Sequence, residues 1–234
     1  MAEEPFEAAG QKFARGSFII KGVARADLGR LTNELGLRAY GLDAAPAVKT
    51  HPARAARVAL LHTWQSTQTE GWWRQAFDTY GIPYGYIDPE TIYKTANLRE
   101  KYDVIVFGPG GSPAIVDGQP MWQNPTPWKN SPETPNIGTW AQTDDTRPGL
   151  QLEGLLHIRD FVKAGGAFVA ATNSVDMLIT GGLVRGVTAT RPAATTRVVG
   201  SLLRTRVNDE ASPIMYGVSD SLAVYSNNGS SLNA

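Results

Sequence analysis

The chain has 234 residues, 42% of them hydrophobic, enough to build one large domain, or a domain with a small appendage, around a core. Lysine and arginine total 22 against 22 aspartate and glutamate, with no long run of either sign, which excludes the electrostatic footprint of a nucleic-acid or anionic-membrane binder. The absence of cysteine excludes disulfides, thiolate metal sites and cysteine nucleophiles together, and leaves the compartment open.

The amino terminus, Met1 to Glu7, is acidic and no apolar run of signal-peptide length follows it. No stretch approaches the roughly 18 apolar residues of a membrane span, so neither an export signal nor a membrane anchor is expected. Residues 1–15 read as a lead-in. Gly16 to Lys21 reads as a short strand, Ala24 to Leu35 as a helix with Ala24, Leu28, Leu31 and Leu35 on one face and Gly36 as its stop, and Leu37 to Leu42 as a second strand. Residues 1–46 thus form a strand-helix-strand appendage, and the Ala- and Pro-rich residues 47–56 an extended linker.

From residue 57 to 225 a larger α/β domain is expected. Val58 to Leu61 is a continuous apolar run, as in a strand covered on both faces. Thr67 and Glu70 then match a capping box, and Trp72, Trp73, Ala76, Phe77 and Tyr80 recur at helical spacing until Gly81. Pro83 to Asp88 reads as a second strand, Glu90 to Tyr102 as a helix or turn, and Asp103 to Phe107 as a third strand ending in Gly108-Pro-Gly-Gly-Ser112. Parallel βαβ winding explains this alternation most economically. Val58, Leu60, Val104, Val106, Phe168 and Val169 are the expected strand core.

Residues 113–148 break the rhythm. Connections in compact domains run to about 4 to 6 residues, and this stretch carries Trp122, Trp128 and Trp140 among many Pro, Asn, Thr and Gly residues. Disordered segments are poor in aromatics, so a packed excursion over the sheet edge is expected. Leu150 to Ala164 returns to a helix, Gly165-Gly166 stops it, Ala167 to Ala171 is the fourth strand, and Thr172-Asn-Ser174 turns into a helix at Val175 to Ile179. Val187 to Thr190, Arg197 to Val199, Ser201 to Val207 and Leu222 to Tyr225 read as short strands extending the sheet in antiparallel fashion, and residues 226–234 as a polar tail without order of its own.

The third strand with its Gly-rich end, the helix running into Gly165-Gly166, and the following strand and sharp turn resemble the flavodoxin-like, class I glutamine amidotransferase-like fold, a parallel sheet with helices on both faces. More specifically, His62-Thr-Trp64, Gln68-Thr-Glu-Gly-Trp-Trp-Arg74, Trp122-Gln-Asn-Pro-Thr-Pro-Trp128, Pro135-Asn-Ile-Gly138, Gln142-Thr-Asp-Asp145, Gly200-Ser-Leu-Leu-Arg204 and Pro213 to Gly217 resemble the carboxyl-terminal amidotransferase-like region of bacterial zinc carboxypeptidase-family proteins. The resemblance covers roughly residues 10 to 230. It implies a zinc metallopeptidase domain before residue 1 in a longer parent, an extracytoplasmic setting, and that peptidase domain as the partner.

The chemistry of neither family is carried over. Zinc carboxypeptidases hold their metal with a His-x-x-Glu pair and a later His, whereas the three histidines here are His51, His62 and His157. His157 and Asp160 share a helical face, where a plain surface pair is the alternative to a ligand pair. No zinc or other cofactor is expected. The amidotransferase nucleophile is a Cys on the turn after the fourth strand; here that turn holds Thr172, Asn173 and Ser174, and no His follows His157. Ser174 is a substitute nucleophile only if His62 reaches it; otherwise these residues form a turn and cap a helix. Ligands of open α/β sheets bind beyond the strands' carboxyl ends, which makes His62, Gln65, Gly110, Gly111, Asn173 and Ser174 the candidate ligand-binding residues. The glycines offer an amide cradle for an anion or simply a tight turn. Trp72 and Trp73 are either a platform or packing, one in the core and the other beneath a loop. Asp144-Asp145 is either a cation site or an acidic turn paired with Arg147. The reading that follows is a non-catalytic accessory domain that packs against, or presents substrate to, a metallopeptidase. The rival reading is a hydrolase with an unrecognised Ser- or carboxylate-based site at the strand ends.

Overall fold

Four short, mostly apolar tetrapeptides define the central strands. The computed structural model describes residues 1–65, 67–108, 114–119, 123–193, 195, 200–218, 220–226 and 231–233, the side chains of Ala114 and Asn173 excepted. In chain order the elements are strands β1 (Phe6–Ala8) and β2 (Gln11–Phe13), helix α1 (Arg25–Glu34), strand β3 (Val58–Leu61), helix α2 (Thr67–Thr79), strand β4 (Tyr84–Ile87) and helices α3 (Pro89–Lys94) and α4 (Leu98–Lys101). Strand β5 (Val104–Phe107), helices α5 (Ala114–Asp117) and α6 (Gln151–Lys163), strand β6 (Ala167–Ala170) and a 3-10 turn (Thr172–Ser174) leading into α7 (Val175–Thr180) follow. Strands β7 (Thr188–Thr190) and β8 (Ser201–Arg206), a second 3-10 turn (Pro213–Met215), and strands β9 (Ser221–Ser226) and β10 (Ser231–Asn233) complete the order. The chain divides into two compact units, Met1–Ala55 with Val198–Asn227, and Ala56–Arg197 with Asn228–Ala234.

The second unit carries a four-stranded parallel sheet in the order β4-β3-β5-β6, with helices on both faces. This is the doubly wound arrangement of flavodoxin-like folds, in which the chain steps outward from β3 to β4 and then crosses back to β5. Alternation along the strands sorts two cores. Ala59, Leu61, Ile87, Ile105 and Phe107 face α3, α4, α6 and α7 through Ile92, Leu98, Leu155, Ile158, Phe161 and Met177. Leu60 and Val106, with Val58, Tyr84, Tyr86 and Val104, face α2 through Trp73 and Phe77.

The predicted core needs correcting at the fourth strand. Leu60 and Val106 are buried and Val58, Val104 and Phe168 partly so, but β6 is a sheet edge and Val169 is 42% exposed. Helix α6 covers the Phe168 side of that strand; α2 packs only on β4, β3 and β5.

The described part of the excursion after α5 is held by polar ties. Trp128 and Thr143 form an isolated antiparallel bridge, and Asp145 receives the Arg147 guanidinium at 2.6 Å while Arg147 also donates to the carbonyl of Gln123. Trp128 and Trp140 are 45% and 70% exposed, and Trp122 lies outside the described residues. The two ends of the excursion close on each other at Gly118, whose φ is +79° and where a Cβ would stand 2.2 Å from the carbonyl oxygen of Arg147. Only glycine fits that crossing.

In the other unit the expected strands at Gly16 to Lys21 and Leu37 to Leu42 do not form. A hairpin forms earlier instead, within the predicted lead-in. Ala9 and Gly10 both take positive φ (48° and 69°), as a two-residue hairpin turn of the primed type requires, and Phe6 stacks on Phe13 across it at 4.9 Å. Helix α1 forms where expected yet buries none of its residues. The Ala- and Pro-rich segment is tied back to the amino terminus by an Ala2–Thr50 bridge and a 2.7 Å Lys49–Glu3 ion pair.

The late strands also depart from expectation. None joins the parallel sheet: β8 pairs with β9, and β7 pairs with β10, so the supposed polar tail contributes a strand. Residues 197–199 lie outside the described residues. Among the described residues no helix is long and apolar enough to cross a membrane.

Candidate functional site

The carboxyl end of the central strand β3 delivers His62, whose backbone N–H continues the ladder to the carbonyl of Ile87 at 2.9 Å. Being next to a central strand, its ring is only 2% exposed. It lies flat on the Tyr86 ring, centroids 3.9 Å apart and planes 6° from parallel, with Trp64 edge-on at 4.8 Å. Burial lowers the His62 pKa to about 4, against the pull of Asp88 and the Thr63 backbone, while the Arg74 charge lowers it further. The imidazole is neutral at neutral pH, and its Nε2 is buried without a hydrogen-bond partner.

Helix α2 supplies the other half. Glu70, Trp73, Arg74 and Phe77 stand at i, i+3, i+4 and i+7, so they share the face that meets the sheet. Glu70 is 3% exposed. Instead of reaching back to cap its helix, it accepts a hydrogen bond from the Tyr86 hydroxyl at 3.0 Å through Oε2, and its Oε1 is buried and unbonded. Burial pushes the Glu70 pKa up, with Tyr86 and Arg74 opposing, and burial and the Glu70 charge push the Tyr86 phenol up. Arg74 approaches Glu70 Oε1 to 3.9 Å and places its guanidinium 4.9 Å from the Tyr86 centroid and 4.4 Å from that of Trp140. Trp73 packs on the end of β5, where a Cβ on Gly108 would come within 2.9 Å of its ring. Trp72, expected in the core or beneath a loop, is 64% exposed, and Tyr80, expected on the packed face, is 79% exposed.

His62, Glu70, Arg74, Tyr86 and Trp140 are therefore brought together at the sheet's carboxyl edge, and of these only His62 is among the candidates that the sequence suggests. In the sequence Glu70 reads as a capping residue. Its spacing from Trp73, Arg74 and Phe77 is the signal that points inward, since an acid on the packed stripe of a helix must find a partner inside.

The other candidates fall elsewhere. Gln65 is exposed in the loop after β3, and Gly110 and Gly111 lie outside the described residues. Asn173 occupies the 3-10 turn Thr172–Ser174. Ser174 is 0% exposed; its hydroxyl donates toward the carbonyls of Ala171 and, at 3.2 Å, Phe107, and accepts from the Ala171 N–H. That bonding ties the turn to β5. His157 bonds through Nδ1 to the carbonyl of Ile92, joining α6 to α3, while Asp160 pairs with Arg159. Asp145 pairs with Arg147 and Asp144 with Lys129. Among the described residues no group of three or more His, Cys, Asp or Glu side chains is placed to hold a metal ion.

No family model matches the chain, and no curated protein matches it. Among solved structures, a protein from Thermoplasma acidophilum described as a candidate subunit of GMP synthase is similar over 77% of this chain and 68% of its own, at 12% identity and a TM-score of 0.40. A likeness that slight adds nothing to the fold read from the strand order, and it extends no activity to this chain.

Proposed function

We propose that this chain is a non-catalytic accessory domain, an amidotransferase-like α/β unit of a bacterial zinc carboxypeptidase-family protein, which packs against or presents substrate to the peptidase domain outside the cytoplasm. One observation carries the reading. At the turn where an amidotransferase-like fold holds its nucleophile, Ser174 is sealed from solvent and its hydroxyl is spent on the backbone of Ala171 and Phe107. A nucleophile must offer a lone pair to substrate and its proton to a base. The strand-end histidine, His62, is stacked on Tyr86 and is a weak base at about 4. The zinc belongs to the partner domain in this reading, and the chain itself needs no cofactor. The test has two arms. A broad serine-hydrolase probe should leave the protein unlabelled, and stoichiometric labelling abolished by Ser174→Ala would overturn the proposal. The coding sequence preceding Met1 should encode a domain with the His-x-x-Glu zinc motif; a different neighbour removes the assignment of the partner.

The rival, a hydrolase with a carboxylate-based site, draws on the Glu70–Tyr86–His62 cluster, a buried acid beside a neutral imidazole. It requires ester or amide hydrolysis that disappears in Glu70→Gln and survives in Ser174→Ala.

A further inference from the structure

Arg74 fills a cage built from two aromatic faces and a carboxylate: Tyr86 at 4.9 Å, Trp140 at 4.4 Å and Glu70 Oε1 at 3.9 Å. Ring faces and an acid together are the general chemistry for holding an organic cation. The guanidinium meets the rings but leaves the acceptors unserved. Glu70 Oε1 and His62 Nε2 are two of the three buried side-chain polar atoms without a hydrogen bond among the described residues, and both residues touch Tyr86, one at its hydroxyl and one on its face. Buried acceptors in folded proteins are ordinarily satisfied. The third such atom, Arg99 Nε, belongs to the ion-pair cluster with Asp103.

The kind of donor required follows from the atoms themselves. Against the lowering by burial, the Thr63 backbone raises the His62 pKa, the direction expected of a ring N–H offered to it, and Nε2 is the ring nitrogen left without a partner. Glu70 Oε1 is a carboxylate oxygen whose neighbouring cation stands beyond hydrogen-bond reach. Both atoms therefore accept, and neither donates. A group with several N–H donors and a positive charge supplies what Glu70 Oε1 lacks and keeps the buried carboxylate compensated when Arg74 leaves. An anion would meet a carboxylate, and a neutral apolar group would satisfy nothing.

We propose that the Tyr86 cage at the carboxyl end of β3 is a binding site for an organic cation bearing N–H donors, the guanidinium or primary ammonium of a basic side chain, and that Arg74 is its built-in occupant when no ligand is present. The way in lies on the Trp140 side: that indole is 70% exposed and is the outermost layer of the stack, with Arg74 beneath it and Tyr86 and Glu70 beneath Arg74. An incoming cation displaces the flexible Arg74 side chain outward, takes over its ring contacts and donates to Glu70 Oε1. Because Arg74 competes for the cage, the intact protein binds more weakly than the cage itself, by the fraction of time Arg74 is out.

Agmatine, which carries a guanidinium and a primary amine, is the probe, read by calorimetry and tryptophan fluorescence; tetramethylammonium, with charge but no N–H, is its control. Arg74→Ala should bind agmatine about ten-fold or more tighter than the unaltered protein. Adding Glu70→Gln to Arg74→Ala should cancel that gain, and tetramethylammonium should bind at least about ten-fold more weakly than agmatine, as expected when unpaired buried acceptors decide selectivity. Thermal unfolding establishes that each variant is folded; should Arg74→Ala not fold, Arg74→Met preserves the stem packing while removing the competing charge. The proposal is overturned by absence of saturable agmatine binding in the folded Arg74 variants, by binding indifferent to Glu70→Gln, or by equal affinity for tetramethylammonium. None of these outcomes bears on whether Ser174 is chemically active, so the two proposals fail separately.

Discussion

The His62 imidazole couples the fold to pH in a direction set by its burial. Unfolded, it titrates near the ordinary histidine value of 6.5; folded, near about 4, with Asp88 opposing the shift and Arg74 reinforcing it. Between those values the unfolded chain holds the extra proton, so the His62 contribution makes stability rise with pH across that window, by about 3 kcal/mol in all, and it is flat above and below. Glu70 works in the opposite sense: its folded pKa is raised, so its contribution is lost as pH rises through that value. Comparing the protein with His62→Phe, which keeps a ring against Tyr86, cancels the Glu70 contribution because both chains carry it. Urea unfolding of the two from pH 7 to pH 4 should show the unaltered protein losing stability relative to His62→Phe as pH falls; parallel curves would show that His62 does not titrate with folding.

At the scale of elements, α2 and the turn after β6 carry the sharpest consequences. Trp73 joins the cluster of Leu60, Phe77 and Val106 and packs on Gly108, so Trp73→Ala opens a cavity and is expected to cost about 3 kcal/mol. Trp72, 64% exposed on the same helix, should change stability by no more than about 0.5 kcal/mol when truncated. Equal effects in thermal unfolding would contradict the assignment of the helix faces. Ser174→Ala removes a side-chain hydroxyl bond that ties this turn to β5 in a fully buried place, and is expected to cost about 1 to 3 kcal/mol, more than a solvent-exposed helix cap. A melting temperature unchanged by that substitution would mean the hydroxyl is not spent on the backbone.

At the scale of the whole molecule the two units differ in what holds them. Among the described residues every large buried hydrophobic belongs to the unit containing the parallel sheet, whereas in the unit made of Met1–Ala55 and Val198–Asn227 the sole buried hydrophobic is Ala2. The β8–β9 ribbon exposes Leu202, Leu222 and Tyr225, and a two-stranded ribbon is marginal by itself. Amide hydrogen exchange should therefore be slowest at Leu60, Leu61 and Ile105 to Phe107 and faster by orders of magnitude along β8 and β9. Uniform protection across both units would show that the ribbon draws stability from a core not apparent in its burial.

The order of the parallel strands' segments and of the helices between them is already written in the sequence, because a short apolar run and a helical stripe are properties of neighbouring residues. The same local pattern locates the loop after β3 as the first place to look. The sequence does not reveal that β6 ends the sheet, that residues 231–233 pair with 188–190, or that Ala9-Gly10 turns a hairpin whose flanking strands are only three residues long. Nor does it reveal the site itself. Glu70 looks like a cap until Tyr86, sixteen residues on, offers it a hydroxyl, and Arg74 looks like a surface cation until the excursion brings Trp140 over it. Those choices rest on which distant side chain supplies a partner once water is excluded, and only the tertiary structure decides that, because the energy of a buried polar group lies in its partner and not in its position along the chain.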